Sequence, residues 1–177
     1  WERWLERHPQ SSGVWRKIAK KDAGIPSVTY AEALDVALCH GWIDGQKKGL
    51  DAQFFLQRFT PRRARSTWSK INVAKIDALI AAGRMRPAGL REVEAAKADG
   101  RWDAAYDGAK SMEVPPELAK ALALAKHRKA KAFFDTLDKT NRYAVCWRVQ
   151  TAVKPETKRA RVEKLVAMLA RGEKIHD

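Results

Sequence analysis

Apolar positions recur at helical spacing, then at a period of two, then at helical spacing again to the end of the chain. Trp1, Trp4 and Leu5 fall one turn apart and predict a short amphipathic helix, stopped by His8, Pro9 and the cluster Ser11, Ser12, Gly13. Val14 to Lys21 alternates and reads as a strand. Thr29 followed by Glu32 forms a capping box that opens a helix burying Tyr30, Ala33, Leu34, Ala37 and Leu38 and closing at Gly41. The chain then runs extended over Trp42 to Lys48, turns near Gly49 to Asp51 and returns over Phe54 to Phe59, a hairpin with a loop longer than two residues.

After Pro61 only helices are predicted. Ser69 or Asn72 can cap one that carries Ile76, Leu79 and Ile80, and Pro87 starts the next, through Leu90, Val93 and Ala96. Trp102 and Tyr106 follow in a segment expected to fold back on these two helices. Residues 107–114 are the most linker-like stretch and set the expected boundary between residues 1–108 and 109–177. Beyond it lie a helix opened at Pro115 and Pro116, a stripe of Ala130, Phe133, Phe134 and Leu137, a helix capped by Thr140 or Asn141 with Val145, Cys146, Val149 and Val153, and a last helix from Pro155. The fold class is therefore α+β and helix-dominant: a small antiparallel sheet of about three strands packed by helices, then a C-terminal helical module.

Charge changes this picture. The 35 basic and 21 acidic residues give a net charge of +14, spread over both halves, which favours an anionic small molecule, an acidic partner or nucleic acid. No apolar run approaches a membrane span, and WERWLERHPQSSG lacks the apolar core of a secretory leader. Cys39 and Cys146 are single and distant, as in a reducing, cytoplasmic compartment.

The densest chemistry lies in residues 41–72. Trp42 and Asp44 share one strand face, and the returning strand could bring Arg58 across from them, either as a structural ion pair or as a substrate-orienting pair. Downstream, Arg62, Arg63, Arg65, Ser66, Ser69, Lys70 and Asn72 supply donors ahead of a helix start, and Trp68 offers a stacking face. The alternatives are an anion site and a solvated basic loop whose Trp68 belongs to the core. The last helix presents Lys158, Arg159, Arg161 and Lys164, by default a solvated face. His8, His40, His127 and His176 are isolated, and no metal-binding spacing, phosphate loop or nucleophile elbow occurs. Neither a metal nor a cofactor is expected, and no catalytic residue can be assigned, so the reading leans away from an enzyme.

The strings VTYAEALDVALCHGWIDGQKK, RFTPRRARSTWSKIN and LIAAGRMRPAGLREVEAAKADGRWDAAYD together resemble the bacterial YdeI/OmpD-associated (OmdA) family of bacteriocin-protection proteins, over residues 1 to about 108. The tail NRYAVCWRVQTAVKPETKRARVEKLVAMLARGEKIH is similar to that family's C-terminal helical module. Trp42, Asp44, Arg58, Pro61, Arg62, Ser66, Trp68 and Asn72 carry the match. The resemblance implies a protective role against antimicrobial peptides, or association with an outer-membrane porin, and no catalytic residues. The expected function is a non-enzymatic stress or bacteriocin-protection protein that binds an anionic ligand through residues 58–72. A nucleic-acid binder and an enzyme with an Asp44/Arg58 pocket are the alternatives.

Overall fold

The computed structural model describes residues 1–177, which form two compact units: Trp1–Ser66 with Asn72–Asp103, and Thr67–Ile71 with Ala104–Asp177. In the first, α1 (Glu2–Arg7), β1 (Val14–Ala19), α2 (Tyr30–Cys39), β2 (Trp42–Gly49) and β3 (Phe54–Pro61) are followed by α3 (Lys70–Ala81), from Asn72 onward, and α4 (Pro87–Ala98). The strands make one antiparallel sheet in the order β1-β3-β2.

The sheet's two faces follow from its register. Val14 pairs with Phe59 and Ile18 with Phe55, so these positions share a face, while Trp15 opposite Arg58 and Lys17 opposite Leu56 share the other. On the inner face Phe59 is fully buried and touches Trp1, with ring centroids 5.4 Å apart; Trp1 and Trp4 in turn meet Trp42 edge-on at 6.4 and 6.0 Å. The Trp1 indole N–H donates to the Ala33 carbonyl at 3.0 Å, fixing α1 to α2.

The capping box forms as the sequence predicts: the Glu32 amide donates to Thr29 Oγ1 at 3.2 Å and the Thr29 amide to Glu32 Oε2 at 2.8 Å. At its other end α2 is approached by α4, whose Gly89 lies so close that an added Cβ would sit 2.3 Å from the Cys39 carbonyl oxygen. Gly41 adopts a φ of +75°, the left-handed turn that leads into β2.

The second unit is helical: α5 (Pro116–Leu122), a 3-10 turn (Ala125–His127), α6 (Arg128–Thr136), α7 (Lys139–Gln150) and α8 (Pro155–Ala170). Leu118, Leu122, Phe134, Val145, Val149, Val162, Leu165 and Leu169 form its core. Asp138, not Thr140 or Asn141, caps α7, accepting from the Asn141 amide at 2.7 Å. Asn141 is instead buried, and its side-chain oxygen accepts from the Ile175 and His176 amides, pinning the chain's last residues. Ser69 bridges Tyr106 in parallel, held by Tyr106 N–H to the Trp68 carbonyl and Lys70 N–H to the Tyr106 carbonyl, both 2.9 Å. Trp68 and Tyr106 therefore belong to this unit, whereas Trp102 lies in the first, so the segment does not fold back as one piece.

Four apolar side chains placed in stripes by periodicity are exposed: Tyr30, Ile80, Leu90 and, at 81%, Val153. Val153 lies beyond the end of α7 at Gln150, so the turn that would have carried it inward does not form.

Gly89→Ala provides a test of the α2–α4 packing. In an open helical position the change stabilises by about 0.5–1 kcal/mol, but the Cys39 carbonyl reverses the sign. A loss of about 1–3 kcal/mol is expected in urea unfolding, and a gain would show that α4 can draw back freely.

Candidate functional site

The sheet's outer face explains why aromatic and basic residues interleave so densely. The Lys48 ammonium lies 4.4 Å above the Trp15 ring and the Arg58 guanidinium 5.8 Å from it, and Lys17 sits 3.8 Å over Phe54. On the inner face Lys47 covers Phe55 at 4.2 Å and Arg16 covers Trp1 at 5.0 Å. Each such pair contributes about 0.5–1 kcal/mol at an exposed position. The rings therefore give these cations an attractive surface in place of carboxylates.

The register also corrects the Asp44/Arg58 pair. Asp44 lies opposite Phe59, one residue beyond Arg58, so the two side chains point to opposite faces. Asp44 Oδ2 accepts from the Tyr30 hydroxyl at 2.7 Å, while Arg58 turns to Trp15. Although the Tyr30 ring is partly exposed, partial desolvation of its hydroxyl, and then the Asp44 carboxylate, push the phenol up. Next to this pair a β-bulge falls between Asp44 and Lys47; the buried Gln57 amide fills it, donating to the Gly45 and Gln46 carbonyls at 3.0 and 3.2 Å.

The remaining predicted site residues divide between the units. Trp42 is buried in the aromatic cluster around Trp1. Arg62 is buried, its amide bonded to the Gly41 carbonyl at 3.0 Å and its guanidinium 3.4 Å from Ser66 Oγ, while Arg63 and Arg65 are exposed. Arg101 donates to the Ser66 carbonyl at 3.1 Å, and Asn72 is half-buried on α3. Trp68 is fully buried in the stretch Thr67–Ile71 of the second unit, where Lys70 pairs with Asp107 at 2.8 Å. Trp42, Asp44 and Arg58 are thus separate structural contacts of the first unit, and Trp68 and Lys70 of the second.

Each unit carries a hollow lined by cations, and the second has smaller ones beside it, one of them bordered by Lys126, Lys158 and Arg159. That of the first is about 620 Å³ and is bordered by Lys20, Lys21, Lys47, Tyr30 and Phe55. That of the second, also about 620 Å³, runs between α7 and α8, with Trp147, Arg148 and Thr151 on one wall and Arg161, Lys164, Leu165 and Met168 on the other; Thr67, Arg171 and the carboxylate of Glu173 complete its rim. Arg161 Nη1 donates to the Arg148 carbonyl at 2.7 Å and to Thr151 Oγ1 at 3.3 Å, spending its charge on the end of α7. Arg171 pairs with Glu173 at 2.7 Å. Arg148 and Lys164 are in no ion pair, and Lys158, a turn before Arg161, pairs with Glu117 at 3.1 Å. The α8 cations are therefore not one solvated face. The spacing 147, 148, 151 on α7 against 161, 164, 165, 168 on α8 is the stripe that would have marked this groove in the sequence.

Elsewhere Cys39 and Cys146 are free and buried, and burial pushes both thiols up, which makes them poor nucleophiles. One cluster could hold a metal ion: Glu2, Glu6 and His40. His40 is isolated only along the sequence.

Fold and surface together define a basic, two-unit α+β protein whose second unit is a helical module with a cationic groove. Residues 1–92, 92 of the 177, match the family described as a domain of unknown function (DUF8412), and the chain belongs to that family. Residues 111–172 match the family described as Bacteriocin-protection, YdeI or OmpD-Associated (OmdA), and most of the residues lining the groove between α7 and α8 fall in that stretch. The strings 28–48 and 58–72 fall in the first of these matches. No curated protein and no solved structure matches the chain.

The Lys70–Asp107 pair has a defined pH signature. Hydrogen bonds from Lys70 and Gln150 hold the Asp107 carboxyl below the usual carboxylate range. Its stabilisation is thus complete above that range and is lost as pH falls through the depressed folded value. Asp107→Asn should cost about 1 kcal/mol at neutral pH, with the difference from wild type shrinking in acid. An equal cost at all pH values would show that the carboxylate charge contributes nothing.

Proposed function

We propose that this is a non-enzymatic, cytoplasmic bacteriocin-protection or stress protein whose OmdA module binds an anionic ligand in the α7–α8 groove. One observation carries the reading: Arg148 and Lys164 stand without carboxylate partners on the walls of a hollow onto which the half-buried Trp147 indole and Met168 also open. Cations without partners beside an apolar floor suit a ligand with a phosphate or carboxylate at one end and a flat or apolar part at the other. Residues 58–72 reach the groove only through Thr67, so the binding determinants move from that segment to α7 and α8.

Charge also separates the ways such a protein could protect. Antimicrobial peptides are commonly cationic, and a chain of net charge +14 repels them. Protection would then act through an anionic cellular ligand, not by direct capture of the peptide. The same charge supports a second reading, nucleic acid along α8, which differs in its salt response.

Titration calorimetry with inorganic pyrophosphate and with a nucleoside triphosphate separates these readings. Binding of either probe should weaken about tenfold in Arg148→Ala or Lys164→Ala, the factor expected for loss of one charge-assisted contact of about 1.4 kcal/mol. No binding, or equal binding by wild type and both variants, would remove the groove from consideration. Single-stranded oligonucleotide binding with a steep fall in log K against log salt would favour the nucleic-acid reading.

A further inference from the structure

Glu2 and Glu6 are four residues apart on α1 and so project from one side of that helix. His40 is the residue after the last turn of α2. One ligand atom from each of the three can be chosen so that all lie within 4.8 Å of one another. The His40 side chain is nine-tenths buried, and its Nε2 makes no hydrogen bond; the nearest carboxylate oxygen, Glu2 Oε1, is 3.7 Å away. A buried ring nitrogen aimed at two carboxylates without bonding either leaves a position for something that both can share.

We propose that Glu2, Glu6 and His40 bind a divalent transition-metal ion of the Zn²⁺ class, tying α1 to the end of α2. One imidazole nitrogen and two carboxylates are a donor set that suits such an ion better than Mg²⁺ or Ca²⁺, and three protein ligands leave a fourth position for water. Two carboxylates neutralise the ion's charge. Arg86 Nε and Nη2 both donate to Glu2 Oε1, at 3.2 and 2.7 Å, which orients that carboxylate. The same bonds hold the Glu2 carboxyl below the usual carboxylate range. Arg86 and Gly89, at the start of α4, both lie against the Cys39 carbonyl, so the residue before His40 is held by backbone contacts. The site lies wholly in the first unit and is independent of the α7–α8 groove.

The test uses the full chain after metal stripping, titrated with ZnCl₂ in a calorimeter and with CoCl₂ by visible absorption, beside His40→Gln, Glu6→Gln and His127→Gln. Glu6 is exposed, so its substitution leaves the core intact. One equivalent of Zn²⁺ should bind and raise the melting temperature, and Co²⁺ should give the ligand-field bands of a low-coordinate site. Glu6→Gln should weaken binding at least tenfold and His40→Gln should abolish it, while His127→Gln behaves as wild type. Absence of one-equivalent binding, or Zn²⁺ affinity unchanged by Glu6→Gln, would overturn the proposal. So would equal stabilisation by Mg²⁺, which would indicate diffuse attraction to surface carboxylates.

Discussion

The structure has to accommodate far more positive than negative side chains, 35 against 21, within 177 residues. Carboxylates cannot neutralise them all, so the cations use other acceptors. Several lie on aromatic faces: Lys17 on Phe54, Lys47 on Phe55, Lys48 and Arg58 at Trp15, Arg142 on Phe134. Others donate to backbone carbonyls, as Lys20 does to Asp51, Arg101 to Ser66 and Arg161 to Arg148. Such contacts satisfy hydrogen bonds without cancelling charge, so the molecule keeps its field while each unit stays folded.

The cations thus divide into those engaged by other groups and those that are not. In the hairpin, rings and carbonyls already occupy the basic side chains. Between α7 and α8, Arg161 and Arg171 are engaged and Arg148 and Lys164 are not. Thr67, Trp147 and Thr151 surround that pair with one indole and two hydroxyls, and the core residues Leu165 and Leu169 keep α8 in place beneath it. The groove is thus a by-product of ordinary helix packing with a largely cationic rim.

Features fixed by local chemistry were legible in the sequence. The Thr29/Glu32 capping box, Pro87 and Pro155 at helix starts, the Gly41 turn and the three strands all follow from residues within one or two turns of each other. What depended on parity or distance was not. A shift of one residue in cross-strand partner sends Arg58 away from Asp44, and nothing local states that shift. Asp138 took the cap because its carboxylate reaches the Asn141 amide, while Asn141 itself went to anchor residues 175 and 176. His40 meets Glu2 and Glu6 only because α1 folds beside α2, a contact across more than thirty residues that no spacing rule reveals.

The arrangement β1-β3-β2 leaves both outer strands with an unpaired border. On one side lie Arg16 and Lys17; on the other, Lys47 and Lys48 follow a bulge whose carbonyls are already taken by Gln57. A neighbouring chain seeking to add a strand would meet like charge on either flank and a distorted backbone on one. Addition of a strand at either edge is thereby disfavoured.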